Sequence, residues 1–289
     1  IILKAVDLTN SWYVYHKDAG YYEPNGWAIG LLNDSDAFNN YGGISPNPTD
    51  THFEATVSDG NYVAYLFASD DTNIKCGTYE GNDAAPHTIN VGFEPAWVMI
   101  KNIDAAANWV LADNLRTRIS YPNTTDGAVG EGKITFTSSG FTINDNQNDV
   151  NQPQTYIYVA IREGAGGPKS NELTLTDSTD LQYFNPGDEV TGSVTGGLSP
   201  AFSTTLYTGD GINSKKTSGI DNTGKSLVWI KSKGGPFSDN SHALTDTVRD
   251  ATKYLQSDTT NQEKTLPPGL LSFDSDGFIT SGDSIVNGS

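Results

Sequence analysis

Three groups of residues in this sequence have types and spacings that could do chemistry. The first is paired acid. "FDSDGF" (273–278) sets Asp274 and Asp276 two positions apart before a glycine, and "NDNQND" (144–149) crowds similar oxygen ligands together. A calcium loop needs about six to eight oxygens and usually a bidentate acid at its far end. No Glu stands at the twelfth position of a loop begun at Asp274, and the matching turn at 137–140 reads "TSSG", with no acid. A tight turn accounts for both stretches, whereas calcium accounts for one. Asp274 and Asp276 are therefore the candidate metal ligands, calcium is the ion they would suit, and no cofactor is expected.

Hydrolytic chemistry asks for more. A glycosidase needs two carboxylates about 5–10 Å apart across a cleft. Glu supplies only nine of the 35 acidic residues, and the Asp residues cluster in turn contexts such as "DSDG" and "TGDG", where the carboxylate caps its own backbone. His16, His52, His87 and His242 are scattered and make no zinc spacing. Cys76 is alone, so no intrachain disulfide forms; a single Cys is usually a small buried hydrophobe. No nucleophile-elbow motif is present. No catalytic residue is assigned, and the chain is read as non-enzymatic.

The second group is aromatic. "DAGYYEPNGWAIG" (18–30) puts Tyr21, Tyr22 and Trp27 in a Gly- and Asn-rich stretch that reads as a loop. Aromatic faces of this kind stack on sugar rings. They equally meet a neighbouring subunit or cap their own core. They are candidate glycan or subunit contacts.

The third group is a pair of cations and indoles at fixed distance. Lys4 precedes Trp12 by eight positions, and Lys101 precedes Trp109 by eight. Recurrence within one chain points to packing inside a repeated unit rather than to a ligand.

These residues must be positioned by strands. "YVAYLFA" (62–68), "WVMIK" (97–101), "KITFT" (133–137), "TYIYVAI" (155–161), "LTLT" (173–176) and "LVWIK" (227–231) are β-branched or aromatic runs bounded by turn residues. With 30 Gly and 13 Pro, short strands separated by turns read as sandwich or barrel. "LTDTVRDATKYLQS" (244–257) is the best helical candidate. No apolar run approaches the roughly 18 residues of a membrane span, so no membrane insertion is expected. The net charge of −18 argues against nucleic acid as a partner.

Self-comparison gives three copies of one unit. Ile100-Lys101 matches Ile230-Lys231 and Leu3-Lys4; "TYEGN" (78–82) matches "LYTGDG" (206–211); "SSGFTI" (138–143) matches "SDGFIT" (275–280); Val150-Asn151 matches Val286-Asn287; "YIYVAI" matches "YVAYLF"; Asp113 matches Asp246. Lys4, Trp12, Lys101, Trp109, Phe141, Lys231 and Phe278 are the structural signature. The expected layout is a partial first copy at 1–69, a complete copy at 70–164, a linker and small β module at 165–204, and a partial third copy at 205–289. The first copy starts in mid-unit, so "IILK" is read as a strand whose partners lie outside this sequence. The third stops before its counterpart of "TYIYVAI". An open ladder of that kind is filled by further chain or by a strand from another subunit.

"GFEPAWVMIK", "VWIKSK", "DTVRDATKYL", "FDSDGF", "IVNG" and "NYVAYLFA" together resemble a repeat domain of uncharacterised function. It recurs in large virion structural and tail-fibre proteins of bacteriophages, notably marine and cyanobacterial ones. "LTLTDSTDLQYFNPGDEV" is similar to a small module of such fibres. The first copy departs most, with "SPNPTDTHFEA" where "SDGF" is expected. The resemblance implies an all-β chain of tandem antiparallel β-sandwiches, jelly-roll or concanavalin-like, with a small β insert. It also implies a place in the virion, as a fibre or surface-decoration component partnered by copies of itself, by other virion proteins and by host-surface glycan. The alternatives are a carbohydrate-binding lectin module and, behind it, a polysaccharide depolymerase.

Overall fold

The computed structural model describes residues 1–22, 26–41, 43–44, 48–49, 52–164, 201–232, 240–265 and 269–288. The strand expected at 173–176 and almost all of the small β module lie outside them. Among the described residues the fold is all-β, in several antiparallel sheets with no closed barrel.

The first segment contributes β1 (Ile2–Ala5), β2 (Tyr13–Tyr15), β3 (Tyr21–Tyr22), β4 (Gly26–Trp27), β5 (Ile29–Leu31), β6 (Gly43–Ile44), β7 (Ala55–Thr56) and β8 (Tyr62–Tyr65). Its main sheet has the order β5-β2-β1-β8. The expectation that "IILK" lacks partners is corrected here. The turn between Lys4 and Trp12 returns β2 along one edge of β1, and β8 pairs along the other, with Leu3 opposite Ala64.

The middle segment contributes β9 (Ile74–Glu80), β10 (His87–Asn90), β11 (Pro95–Asn102), β12 (Val110–Asp113), β13 (Ile134–Thr137), β14 (Gly140–Ile143) and β15 (Thr155–Arg162). They form a four-stranded sheet, β12-β11-β15-β9, and a three-stranded sheet, β10-β14-β13. The two layers enclose a core that includes Val98, Ile100, Tyr156, Tyr158, Phe141 and Ile143. Tyr79 stacks on Tyr156 at 5.0 Å and meets Phe141 edge-on.

The last segment contributes β16 (Ser214–Thr217), β17 (Leu227–Ile230), β18 (Ala243–Asp246), β19 (Lys253–Tyr254), β20 (Lys264–Thr265), β21 (Leu270–Asp274), β22 (Gly277–Thr280) and the short helix α1 (Ser284–Asn287), capped by Asp283. β16-β22-β21 is the counterpart of β10-β14-β13, and β17 pairs with β18 as β11 does with β12. The helix expected at 244–257 is absent. Asp246 accepts from the backbone N–H groups of Val248 and Arg249, and Asp250 adopts φ +95°. An acidic side chain that caps its own backbone competes with the helical ladder, and here it builds a turn from β18 into β19.

β11 is buried on both faces, which explains its near-continuous apolar run. Val98 and Ile100 enter the middle segment's own core. Met99, with Trp97 packed beside it, enters a second core shared by all three segments, together with Ile2, Trp12, Trp109, Ile157 and Leu244.

Candidate functional site

The Lys and Trp residues singled out above meet at the seams of that shared core. Lys101 and Lys4 are 0 % exposed, although each carries a charge that prefers water. Lys101 Nζ donates to the Ala107 carbonyl at 2.8 Å in its own segment and to the Ser35 carbonyl at 2.9 Å in the first segment. Lys4 Nζ donates to Ala5 at 2.9 Å and reaches Thr260 of the last segment at 3.4 Å. Lys231 Nζ donates to Asn240 at 2.5 Å and to Thr125 of the middle segment at 2.7 Å. Burial pulls Lys4 and Lys101 down to about 8, and Asp36 and Asp34 partly offset this for Lys101.

The indoles follow the same sense. Trp109 Nε1 donates to the Leu31 carbonyl at 2.9 Å, and Trp12 Nε1 to Gln256 at 3.0 Å. The last segment has His242 in this place, and its Nε2 meets the Tyr121 carbonyl at 3.2 Å. The three acceptors stand four residues ahead of Ser35, Thr260 and Thr125 in turn, so each seam is built alike. First reaches last, middle reaches first, and last reaches middle. Trp12 and Trp109 thus pack between segments, a correction to the expectation that they pack within one. The sequence carried the spacing, and its match of Asp113 with Asp246 set His242 where Trp109 stands, but the direction of reach had no signal in it.

His242 Nδ1 accepts from Trp229 Nε1 at 2.9 Å, which leaves Nε2 to carry the proton toward Tyr121. Complete burial holds this imidazole down to about 3.

A further seam contact joins charges. Tyr65 of β8 donates its hydroxyl to Asp246 at 2.8 Å, and Arg249 binds the same carboxylate at 2.6 Å while reaching the Tyr65 hydroxyl at 3.2 Å. The middle segment repeats the acid and base as Asp113 and Arg116, an ion pair with side chains 2 % and 11 % exposed. Among the described residues no hydroxyl caps that pair. Nearby Ser120 is 0 % exposed and its Oγ has no partner.

Asp113, Arg116 and Ser120 line a groove of about 870 Å³ that runs on to Tyr207, Trp229 and Phe278. The groove lies where the middle segment has β15. There β15 pairs with β11 on one side and β9 on the other. In the last segment β17 stands for β11, and residues 204–208 stand for the end of β9. Tyr207 donates to the Val286 carbonyl just as Tyr79 donates to that of Val150. No strand lies between them among the described residues, and 204–208 take no strand pairing. Val98 is fully buried on β11, whereas Val228 and Trp229 on β17 are only half-buried.

The remaining candidates sit elsewhere. Asp274 and Asp276 both bind Lys215, at 3.0 and 2.6 Å, so an ammonium occupies the space between the two carboxylates. Among the described residues no group of three or more His, Cys, Asp or Glu could hold a metal ion. Tyr21 and Tyr22 pair with Trp27 and Gly26 in a β3–β4 hairpin, where the composition suggested a loop. Trp27 is half-buried, edge-on to Tyr15 at 5.5 Å and packed against Leu3 and Ile29. Phe141 and Phe278 fill the cores of their own segments, at 0 % and 5 % exposed.

The chain belongs to a family whose members share a domain of unknown function (DUF7483); the match covers residues 1–165 and 198–289. The gap in the match falls inside the span read as linker and small β module. No curated protein and no solved structure matches the chain.

Proposed function

We propose that this chain is a structural protein of a bacteriophage particle, a fibre or surface-decoration component. It is built from three versions of one β-sandwich unit of jelly-roll or concanavalin-like type, set around an internal threefold axis. The observation that carries this reading is the use made of the recurring Lys and Trp positions. Each indole gives its N–H to a carbonyl of another segment, and each lysine bridges its own segment to another, so the residues with chemical potential are consumed in joining parts. A protein whose distinctive residues serve cohesion suits a mechanical role. Many copies on one particle would then turn weak contacts with host glycan into firm attachment through effective concentration. The motif resemblance supplies the setting, and the acidic surface keeps densely packed copies from associating in wrong registers.

The test is to raise antibodies against the chain and probe purified particles from the source of the sequence, alongside the native mass of the recombinant protein. The expected result is labelling of the particle exterior at a fixed copy number. Recovery of the protein only in the soluble, particle-free fraction would refute the reading.

A further inference from the structure

We propose that the middle segment is held to both neighbours by acid-released latches, His16 on the first segment and His242 on the last, while the seam between the first and last segments stays shut. Acidification would then free the middle segment on two sides and leave the other two joined.

The first latch comes from comparing equivalent places. Four positions after Trp109 stands Asp113, and four after His242 stands Asp246; the same count from Trp12 gives His16. Three positions further, Arg116 and Arg249 complete ion pairs with those acids, whereas the first segment has Ala19. The facing strand changes in step. Tyr65, opposite Ile2 on β1, gives its hydroxyl to Asp246. Its counterpart opposite Met99 on β11 is Val159, which has no hydroxyl to give. At the seam between first and middle segments an acid, a base and a phenol are thus replaced by an imidazole and two small apolar side chains.

That imidazole is only 6 % exposed and is housed in its neutral form. Nδ1 accepts from the Asp18 N–H at 3.2 Å, so Nε2 carries the proton. Nε2 is buried without a formed hydrogen bond, beside the backbone of Tyr158 on β15. A second proton would set an N–H against the Asp18 N–H and seal a cation away from water. The surrounding groups do little to relieve it. Asp18 favours the charged ring, but its carboxylate is bound to Lys17 at 2.6 Å. Lys17 and the Ile1 nitrogen oppose a charged ring. The titratable groups that the middle segment brings close are Cys76 on β9 and Tyr158 on β15, both kept neutral by burial.

The second latch faces positive charge. His242 fills both its nitrogens, with Trp229 and Tyr121, only as the neutral ring. Lys231 at the end of β17 and Arg116 from the middle segment both oppose its protonation. The remaining seam is built differently. Trp12 reaches Gln256, Lys4 reaches Thr260, and Tyr65 meets Asp246 and Arg249, with Glu263 bound in turn to Arg249 and Lys253. No histidine takes part there.

Three indole N–H groups report the seams one by one. Trp109 donates to Leu31 between first and middle segments, Trp229 to His242 where the last meets the middle, and Trp12 to Gln256 between first and last. The test is NMR hydrogen exchange of these indoles in the intact protein at pH 7 and pH 5, corrected for the intrinsic pH dependence of exchange. Trp109 and Trp229 should each lose protection by roughly twentyfold, the factor for an imidazole held well below its free value near 6.5 until the seam opens. Trp12 should keep its protection. His16→Asn, whose amide oxygen can still accept from the Asp18 N–H, should restore Trp109 and not Trp229; His242→Gln should do the reverse. Equal loss at all three indoles in the parent protein would show global unfolding and overturn the latches, and so would unchanged protection at Trp109 and Trp229, whether or not either variant folds. Loss at Trp109 that persists in folded His16→Asn would overturn His16 as the first latch, and loss at Trp229 that persists in folded His242→Gln would overturn His242 as the second.

Discussion

At the scale of single residues, the seams are held by groups whose ionisation burial disturbs. His242 has one satisfied tautomer, donating to Tyr121 and accepting from Trp229. A second proton would turn an N–H against the Trp229 N–H. His16 is also buried, and desolvation, opposed by Asp18, brings it down to about 4. Both folded values lie below the unfolded value near 6.5, so the unfolded chain binds protons first as pH falls. The stability these residues preserve is complete above about pH 6.5 and drains away on acidification, by about 2 kcal/mol per histidine at pH 5. Thermal unfolding between pH 7 and 4.5 should show this loss before the carboxylates titrate, and His242→Gln should remove about half of it. The lysines act at the other end. Lys4 and Lys101 lose their protons more easily folded than unfolded, so they make stability rise with pH between about 8 and 10. Lys101→Met should lower the unfolding temperature at pH 7, because the Ser35 and Ala107 carbonyls lose a charged donor, and should flatten the slope from pH 8 to 9 relative to the parent.

At the scale of elements, close approach between strands decides where substitution fails. A Cβ on Gly140 would come within 2.0 Å of the Ile89 carbonyl, and one on Gly277 within 2.0 Å of the Lys216 carbonyl. Both glycines open the inner strand of a three-stranded layer, and both follow a turn. Gly140→Ala should separate β10 from β14 and destabilise the protein by about 2 kcal/mol, read from urea unfolding. The strands themselves were legible. "WVMIK", "KITFT", "TYIYVAI" and "LVWIK" fall within one or two residues of β11, β13, β15 and β17. Their β-branched and aromatic runs carry the pattern locally. What was not legible lay in the turns. "LTDTVRDATKYLQS" has helical spacing, and only the Asp246 cap, a side chain folding back on its own backbone, diverts it. Tyr21 and Trp27 pair as strands because Gly26 adopts φ +114°, a freedom that composition reads simply as loop. The seams were half legible: the Lys-to-Trp spacing showed in the sequence, but the carbonyls of Leu31 and Gln256 that receive the indoles belong to other segments and could be found only in space.

At the scale of the whole molecule, three segments share one core, and none could keep its face of that core dry alone. Trp12 and Trp109 are among the largest fully or almost fully buried side chains and lie on different seams. Trp109→Ala should therefore cost about 4 kcal/mol and lower the melting of all three segments together. Calorimetry should show one transition in parent and variant alike. A separate early transition for either outer segment would mean that the seams hold less than the cores they join.

The contacts of the first seam also set a timetable. Trp12 waits for Gln256, Lys4 for Thr260 and Tyr65 for Asp246, partners separated by 181 to 256 positions along the chain. While the ribosome is still at work, the earliest strands have an indole and an ammonium with nowhere to settle. Closure is thus deferred until residues 246–260 emerge, and so many distant pairings predict slow acquisition of the native state. Until then that surface stays uncovered on the nascent chain, and the cell's holding chaperones are the factors chemically suited to shield it.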